Sequence, residues 1–297
     1  MIYPTISIVT SCYNHKDYIA ETIESVLSQG YPNLQYVVID DGSTDGSWDI
    51  IQKYKDRLHY CERLEGYRDT PTIAINHGMK KTSAEIMGWL NSDDVLLPHS
   101  LFTLAHIFSD LPKVEWLTGA ASTINTQSEL VESRLRCKSK YDFLCGDWKV
   151  IQQESTFFKR TLWERTGATL NGEKKWAFDT ELWTRFFEQA EHYHSTALIG
   201  AFRKGKQSKS VRDNKSFLIP NMHYLTAMRT RSNFKTNIEI FLYKVIKLFH
   251  IFFALIPHRV FCVLPVVQRY SYSVVHYMND QQVWKIKKMN PFRKKLA

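Results

Sequence analysis

The sequence is poor in the features that mark several common chemistries. Its five cysteines, Cys12, Cys61, Cys137, Cys145 and Cys262, are scattered with no C-x-x-C pair, which argues against a disulfide framework and against a zinc site. Glycine is missing where a dinucleotide would need it. The first apolar run is followed by "SCYNHKDY", which has no residue that lets a backbone approach a pyrophosphate. No G-x-x-x-x-G-K-[ST] loop occurs anywhere, so a bound phosphate needs another cation. Clean apolar runs of spanning length are also lacking. The window Leu248 to Val267 is interrupted by His250, Pro257, His258, Arg259 and Pro265, which a transmembrane helix avoids. The first strand-like run starts at Thr5, leaving no room for a secretory leader, and a cytoplasmic location is expected. Acid is scarce in the last third. Residues 203–297 hold 19 Lys and Arg against 3 Asp and Glu, a balance of +16, whereas residues 1–202 hold 20 against 27, a balance of −7.

What is present reads as α/β. The chain has 297 residues, 44% of them apolar, enough for a large core with an appendage. "TISIVTS" (5–11), "LQYVVID" (34–40), "RLHYCER" (57–63) and "EIMGWLN" (85–91) are short β-rich runs. Between them, "KDYIAETIESVLSQGYPN" (16–33), a segment around Trp48 to Tyr54, and "TPTIAINHGMKKT" (70–82) carry helical spacing and capping residues. Strands alternating with helices predict a mostly parallel sheet covered by helices, with ligands in the crevice at the strands' carboxyl ends. The repeat then loses regularity: a helix near Pro98, one strand over 114–123, and aromatic-rich elements over 153–167 and 178–190 are expected. Asn14 reads as a cap for the first helix. Trp183, Phe186 and Phe187 read as a buried helix face.

The crevice expected at the strand ends holds the most informative stretch, "WLNSDDVLLP" (89–98). Adjacent Asp93 and Asp94 beside an apolar strand repel each other and lose solvation. Carboxylates are hard ligands suited to Mg²⁺ or Mn²⁺, whose shell is commonly completed by substrate phosphates and water. From these two residues alone, a helix cap and a solvated carboxylate fit as well as a cation site.

"SIVTSCYNHKDYIAETIESVLSQGYPNLQYVVIDDGSTDGS" and "AINHGMKKTSAEIMGWLNSDDVLLP" together resemble the nucleotide-sugar-dependent glycosyltransferases of family 2, which share the GT-A fold. The resemblance continues through "QQESTFFKRTLWERTGATLNG" and "WAFDTELWTRFF", covering roughly residues 5–203. It implies a GT-A catalytic domain over 1–203, with a nucleotide-binding half to about 110 and an acceptor half from about 111. By that resemblance Thr10, Tyr13 and Asp40 hold the nucleotide base, Asp40 accepting from a uracil-type imide N–H. Arg68 reaches base or diphosphate. Asn91, Ser92 and Asp93 match the D-x-D region, with Asn91 departing from its first aspartate, so Asp93, with Asp94, must carry the divalent cation. Asp179 is the general base that inversion requires, with Glu181 second, and Gln153 and Glu154 line the acceptor side. A histidine that the family often carries after the arginine of "FRKGKQSKS" is replaced by Lys204 and Gly205. Lys206 and Lys209 remain to approach the diphosphate.

The expected activity is inverting, metal-dependent transfer from a nucleotide sugar, UDP-linked, to a hydroxyl of a glycan or lipid-linked acceptor in cell-surface polysaccharide or glycoconjugate synthesis. The alternative is a catalytically silent nucleotide-sugar-binding scaffold. Residues 204–236 read as a linker and 237–297 as basic amphipathic helices that dock peripherally on an anionic membrane surface at the inner face of the cell membrane. Packing on the domain or dimer contact is the alternative for this tail. Its basic residues are interleaved with aliphatic runs, so no nucleic-acid partner is expected.

Overall fold

The computed structural model describes residues 3–66, 71–146, 151–171, 177–205, 223–224, 226–231, 233–249 and 265–289. The chain runs β1 (Ile6–Cys12), α1 (Ile19–Leu27), β2 (Leu34–Asp40), α2 (Ser47–Gln52), β3 (Tyr60–Arg63), α3 (Pro71–Met79), β4 (Ile86–Asn91), β5 (Val95–Leu96) and α4 (Ser100–Asp110). It continues through β6 (Trp116–Thr118), β7 (Ala121–Ile124), β8 (Leu130–Arg134), α5 (Lys140–Leu144), β9 (Thr156–Lys159), α6 (Arg160–Arg165), α7 (Phe178–Gln189), β10 (His192–Ser195) and β11 (Gly200–Arg203). The C-terminal part gives α8 (Phe234–Phe249), α9 (Pro265–Arg269), β12 (Tyr272–Met278) and β13 (Val283–Met289). The expected α/β architecture is observed: a nine-stranded sheet of order β13-β12-β10-β6-β9-β4-β1-β2-β3 and a second sheet of order β5-β11-β7-β8.

The unbroken apolar strands are buried by helices on both faces, as a parallel sheet requires. Parallel pairing of β1 with β2 and β4 sets Cys12 opposite Asp40 and Ser11 opposite Asn91, so three strands end at one level. In α1, Ile19, Ile23 and Val26 are fully buried, and their 4-3 spacing puts them on one face. Their burial contributes on the order of 6 kcal/mol. α3 lies closer to the sheet because of Gly78, where a Cβ would stand 2.5 Å from Val9 Cγ1.

The other core cluster is built on a column of rings. His192 stacks on Trp116 at 3.8 Å, Trp116 on Trp183 at 5.5 Å, and Trp183 on Trp89 at 5.6 Å. Trp183, Phe186 and Phe187 are therefore core, as their spacing predicts. The column locks α7 against β4 and β6, which sets the direction its first turn faces.

Two expectations are corrected. The single strand over 114–123 is two strands in different sheets, because Gly119 and Ala120 turn away to donate to the Ser155 and Ala197 carbonyls. The tail is not helical throughout. After α9 the chain forms the β12-β13 hairpin, β12 pairing parallel with β10. "YSVVHYM" and "VWKIKKM" flank a polar four-residue turn with Gln282 at φ 53°, and Trp284 and Ile286 pack on the main core. That alternation has a period of two, which a basic-helix reading overlooks. Residues 250–264, within the apolar window noted in the sequence, lie outside the described residues, as does most of 204–236. Among the described residues, no helix is long and apolar enough to cross a membrane.

Candidate active site

The carboxyl edge of β1, β2 and β4 carries two groups of polar residues. The first surrounds Asp40, which is completely buried. Its Oδ2 accepts from the Ser43 N–H at 3.0 Å and lies 3.4 Å from Nε of Arg63, its register partner on β3. Arg63 also donates to the Ser43 carbonyl at 2.6 Å. Asp40 Oδ1 has no hydrogen-bond partner among the described residues. A buried carboxylate oxygen is an acceptor whose desolvation goes uncompensated until a donor arrives.

The loops after β1 and β2 are laced together around it. Asn14, at φ 54°, donates its N–H to Ser43 Oγ and accepts the Thr44 N–H on Oδ1 at 2.8 Å. The backbone N–H groups of His15 and Lys16 go to Ser47 Oγ and Asp45 Oδ2, each at 3.0 Å. Asn14 is thus a loop clasp and not a helix cap; α1 begins after Tyr18, whose side chain makes no capping bond. Gly42, at φ +77°, allows close passage of the 64–66 backbone, since a Cβ there would sit 2.9 Å from the Gly66 Cα. Tyr13 is exposed at the end of β1. The base-contact role expected of Thr10 meets a different geometry: its hydroxyl is buried and paired with the Tyr36 hydroxyl at 3.0 Å. Arg68, Lys206 and Lys209 lie outside the described residues.

The second group is acidic, and its two adjacent aspartates part company. Asp94 is fully buried, with Oδ2 accepting from Asn91 Nδ2 at 3.0 Å and Oδ1 from the Arg203 N–H at 2.9 Å. Burial, then the nearby Asp93 and Glu154 charges, push its carboxyl well above the usual range. Both oxygens of Asp94, expected to share metal contact with Asp93, accept from protein donors. Asp93 is half-buried, and its carboxylate accepts no hydrogen bond among the described residues. Ser92 is buried, its hydroxyl 2.7 Å from His15 Nδ1, which links the acidic turn to the loop after β1.

The turn is anchored by a residue the sequence reading passed over. Arg203 is buried at the end of β11 and donates to the Asp93 carbonyl at 2.7 Å, to Glu21 at 2.7 Å and to Ser128 Oγ at 2.8 Å. Its guanidinium also lies 4.8 Å from the centroid of the Tyr18 ring. An arginine closing the apolar run "LIGAFR" was the available signal, because a charge at that depth requires several acceptors.

Glu154 and Asp179 complete the group. Glu154, on the turn before β9, is buried and accepts from Gln152 Nε2. Burial raises its carboxyl to about 8, helped by the Asp179 and Asp93 charges. Gln153 is buried too, its amide donating to the Trp89 carbonyl, which keeps it beneath the site. Asp179 lies in the first turn of α7, its Oδ1 accepting the Thr180 N–H at 2.7 Å, and burial raises it to about 6. The N-cap position belongs to Ala177, at φ 65°. Glu181, the second candidate base, is engaged by a cation. Arg185 holds both its oxygens, at 2.9 and 2.8 Å, and the pair lines a separate depression with Thr166, Thr169 and Leu170.

Among the described residues no group of three or more His, Cys, Asp or Glu is arranged to hold a metal ion. The donor set still fits a weakly held hard cation. Asp93 offers a carboxylate that accepts no hydrogen bond among the described residues, and leaves most of a shell to phosphate and water.

Comparison with known proteins identifies the family and the fold. The family model described as Glycosyl transferase family 2 matches residues 7–167, more than half the chain. Relatives include the putative teichuronic acid biosynthesis glycosyltransferase TuaG of Bacillus subtilis, 36% identical over 96 residues, covering 31% of this chain and 36% of TuaG. The Escherichia coli UDP-Glc:alpha-D-GlcNAc-diphosphoundecaprenol beta-1,3-glucosyltransferase WfaP is 36% identical over 115 residues, covering 37% of this chain and 43% of WfaP. The chain thus matches between about a third and two-fifths of these relatives' length. Staphylococcus aureus TarS 1-349 in complex with UDP-GlcNAc superposes with a TM-score of 0.65 at 16% identity, over 83% of this chain and 73% of that one. The mannosyltransferase PcManGT from Pyrobaculum calidifontis, in complex with GDP-Man and Mn²⁺, gives 0.58 at 17%, over 78% and 66%. At these identities the structures establish the fold, which is GT-A.

Proposed function

The chain belongs to glycosyltransferase family 2, and from that premise we propose that it is an inverting transferase. It moves a sugar from a nucleoside-diphosphate donor, UDP-linked, to a hydroxyl of a glycan or lipid-linked acceptor in cell-surface polysaccharide or glycoconjugate synthesis. The observation that carries this reading is one strand edge holding an undonated buried oxygen on Asp40, an undonated carboxylate on Asp93 and a raised carboxyl on Asp179. UDP-sugars named for TarS and WfaP support the donor class.

In this reading Asp40 Oδ1 accepts the imide N–H of the base. Asn91 donates its amide nitrogen to Asp94 and keeps its carbonyl for a ribose hydroxyl. Mn²⁺ or Mg²⁺ at Asp93 would supply Lewis-acid stabilisation of the departing diphosphate. Asp179 takes the acceptor proton as the acceptor oxygen bonds to the anomeric carbon and the bond from that carbon to the diphosphate oxygen breaks. A carboxyl near 6 is ionised at neutral pH yet more basic than an exposed aspartate, the compromise a general base needs. Glu154, near 8, is mostly protonated there and can donate a hydrogen bond on the acceptor side.

The test is nucleotide release from UDP-glucose, UDP-N-acetylglucosamine and GDP-mannose with Mn²⁺ or Mg²⁺. Cation-dependent release from at least one donor is expected. Tight UDP binding with no turnover on any donor would replace this reading with the silent scaffold.

A further inference from the structure

α8 carries two apolar faces. One packs inward: Tyr243 is buried and stacks on Tyr141 of α5 at 5.7 Å, with Ile246 beside it. The other presents Phe234, Ile238, Phe241, Leu242 and Leu248, which are 81, 44, 65, 38 and 63% exposed. At about 100° per residue these five positions fall within an arc of about 120°. Lys235 borders the stripe on one side and Lys244 on the other, both exposed and without an ion pair among the described residues.

We infer that the exposed stripe of α8 docks on an anionic lipid surface, its apolar residues entering the acyl boundary and Lys235 and Lys244 meeting headgroup phosphates. Charge decides the occupant. Two copies joined through this stripe would bring lysine margins together, and lysine is depleted from protein–protein interfaces. An anionic bilayer offers both an apolar layer and a negative one. The surrounding region has the same bias, with 19 Lys and Arg against 3 Asp and Glu over residues 203–297.

The helix is tied to α5 and α9 by hydrogen bonds and an ion pair, so docking orients more than the tail. The Tyr243 hydroxyl donates to Asp142 Oδ1 at 2.7 Å, and the Tyr272 hydroxyl to Asp142 Oδ2 at 3.0 Å. Glu239 accepts from the Tyr141 hydroxyl at 2.9 Å and pairs with Arg269. This inference does not depend on the transfer chemistry.

The experiment is co-sedimentation of the full chain with phosphatidylcholine vesicles, with and without phosphatidylglycerol. Partition should favour the anionic vesicles by about fivefold or more and weaken with salt. Phe241→Ser with Leu248→Ser should lower it by about tenfold or more, and Lys235→Ser with Lys244→Ser should remove the anionic preference. All four side chains are exposed, so an unchanged melting temperature is the folding control. If the double serine variant melts early, Phe241→Trp takes its place. Its added fluorescence should shift to the blue and be quenched by brominated acyl chains. Equal partition of wild type and stripe variant, equal partition on neutral vesicles, or no lipid quenching overturns the inference. So does a dimer in light scattering that Phe241→Ser converts to monomer without any vesicle binding.

Discussion

Two carboxylate neighbourhoods share the edge of one sheet and have opposite chemistry. Around the loops after β1 and β2, carboxylates are given donors. Burial raises Asp45 somewhat, but hydrogen bonds from the Ser47 hydroxyl and the Lys16 and Ser47 N–H groups outweigh it and hold its carboxyl below the usual range. Facing the end of β4, on the turn before β9 and in the first turn of α7, carboxylates are given burial and one another. Glu154 and Asp179 rise to about 8 and 6. Donors make a rigid, permanently charged clasp, whereas burial makes groups that exchange protons near neutrality. One region is suited to hold, the other to react.

Substitutions can break this contrast from either side. The largest effect belongs to Asp179→Asn, which removes the base but keeps the shape. kcat should fall by about a thousandfold while UDP affinity by calorimetry stays within a factor of about two. In the wild type, kcat/KM should fall tenfold per pH unit below about 6, because protonation of Asp179 removes the base. Asp45→Asn should leave that limb where it is.

On the holding side, Asp40→Ala deletes the undonated acceptor. The dissociation constant for UDP should rise by about tenfold to a hundredfold, equivalent to about 1.4 to 3 kcal/mol. A nucleotide-binding change no larger than that of Asp45→Asn would remove Asp40 from the donor site.

The acid cluster should also reveal itself in stability. Glu154 has a folded pKa of about 8 against the ordinary 4.5, so the folded state binds the extra proton between those values. Its stabilising contribution is complete below about pH 4.5 and is lost as pH rises through about 8. Glu154→Gln keeps a neutral group at every pH. Measured without divalent ions, the variant should match the wild type near pH 5 and melt higher near pH 9. A constant difference across that range would mean that Glu154 is not the titrating group. The smallest effect is expected from Asp45→Ala, about 1 kcal/mol or less of stability by chemical denaturation.

The accuracy of the sequence reading follows the range of the interactions involved. Alternating apolar strands and helices placed β1, α1, β2, α2, α3 and β4 to within a few residues, because burial periodicity is local. The resemblance pointed to Asp40, Asp93 and Asp179 by their motif positions. It did not separate Asp93 from Asp94, since neighbours on a turn face opposite ways and the Arg203 N–H that donates to Asp94 in the interior comes from β11, 109 residues later. Thr10 turned inward because Tyr36 awaited it across the sheet, and Glu181 was claimed by Arg185 four residues on. The β12-β13 hairpin was hidden by its charge: the lysines of "VWKIKKM" drew attention from the alternation of Trp284 and Ile286.

From the amino-acid sequence alone come the α/β class, the level at which the strands end, the acidic first two thirds and the basic tail, since all four depend on residue type and short spacing. The tertiary structure decided which carboxylates are satisfied and which are not. That depends on donors from distant segments and on burial, and both arise only when β1, β4, β11 and α7 meet at one edge. In "WLNSDDVLLP" the outcome is specific: Asp94 is bound inward by Asn91 and Arg203, whereas the Asp93 carboxylate accepts no hydrogen bond among the described residues.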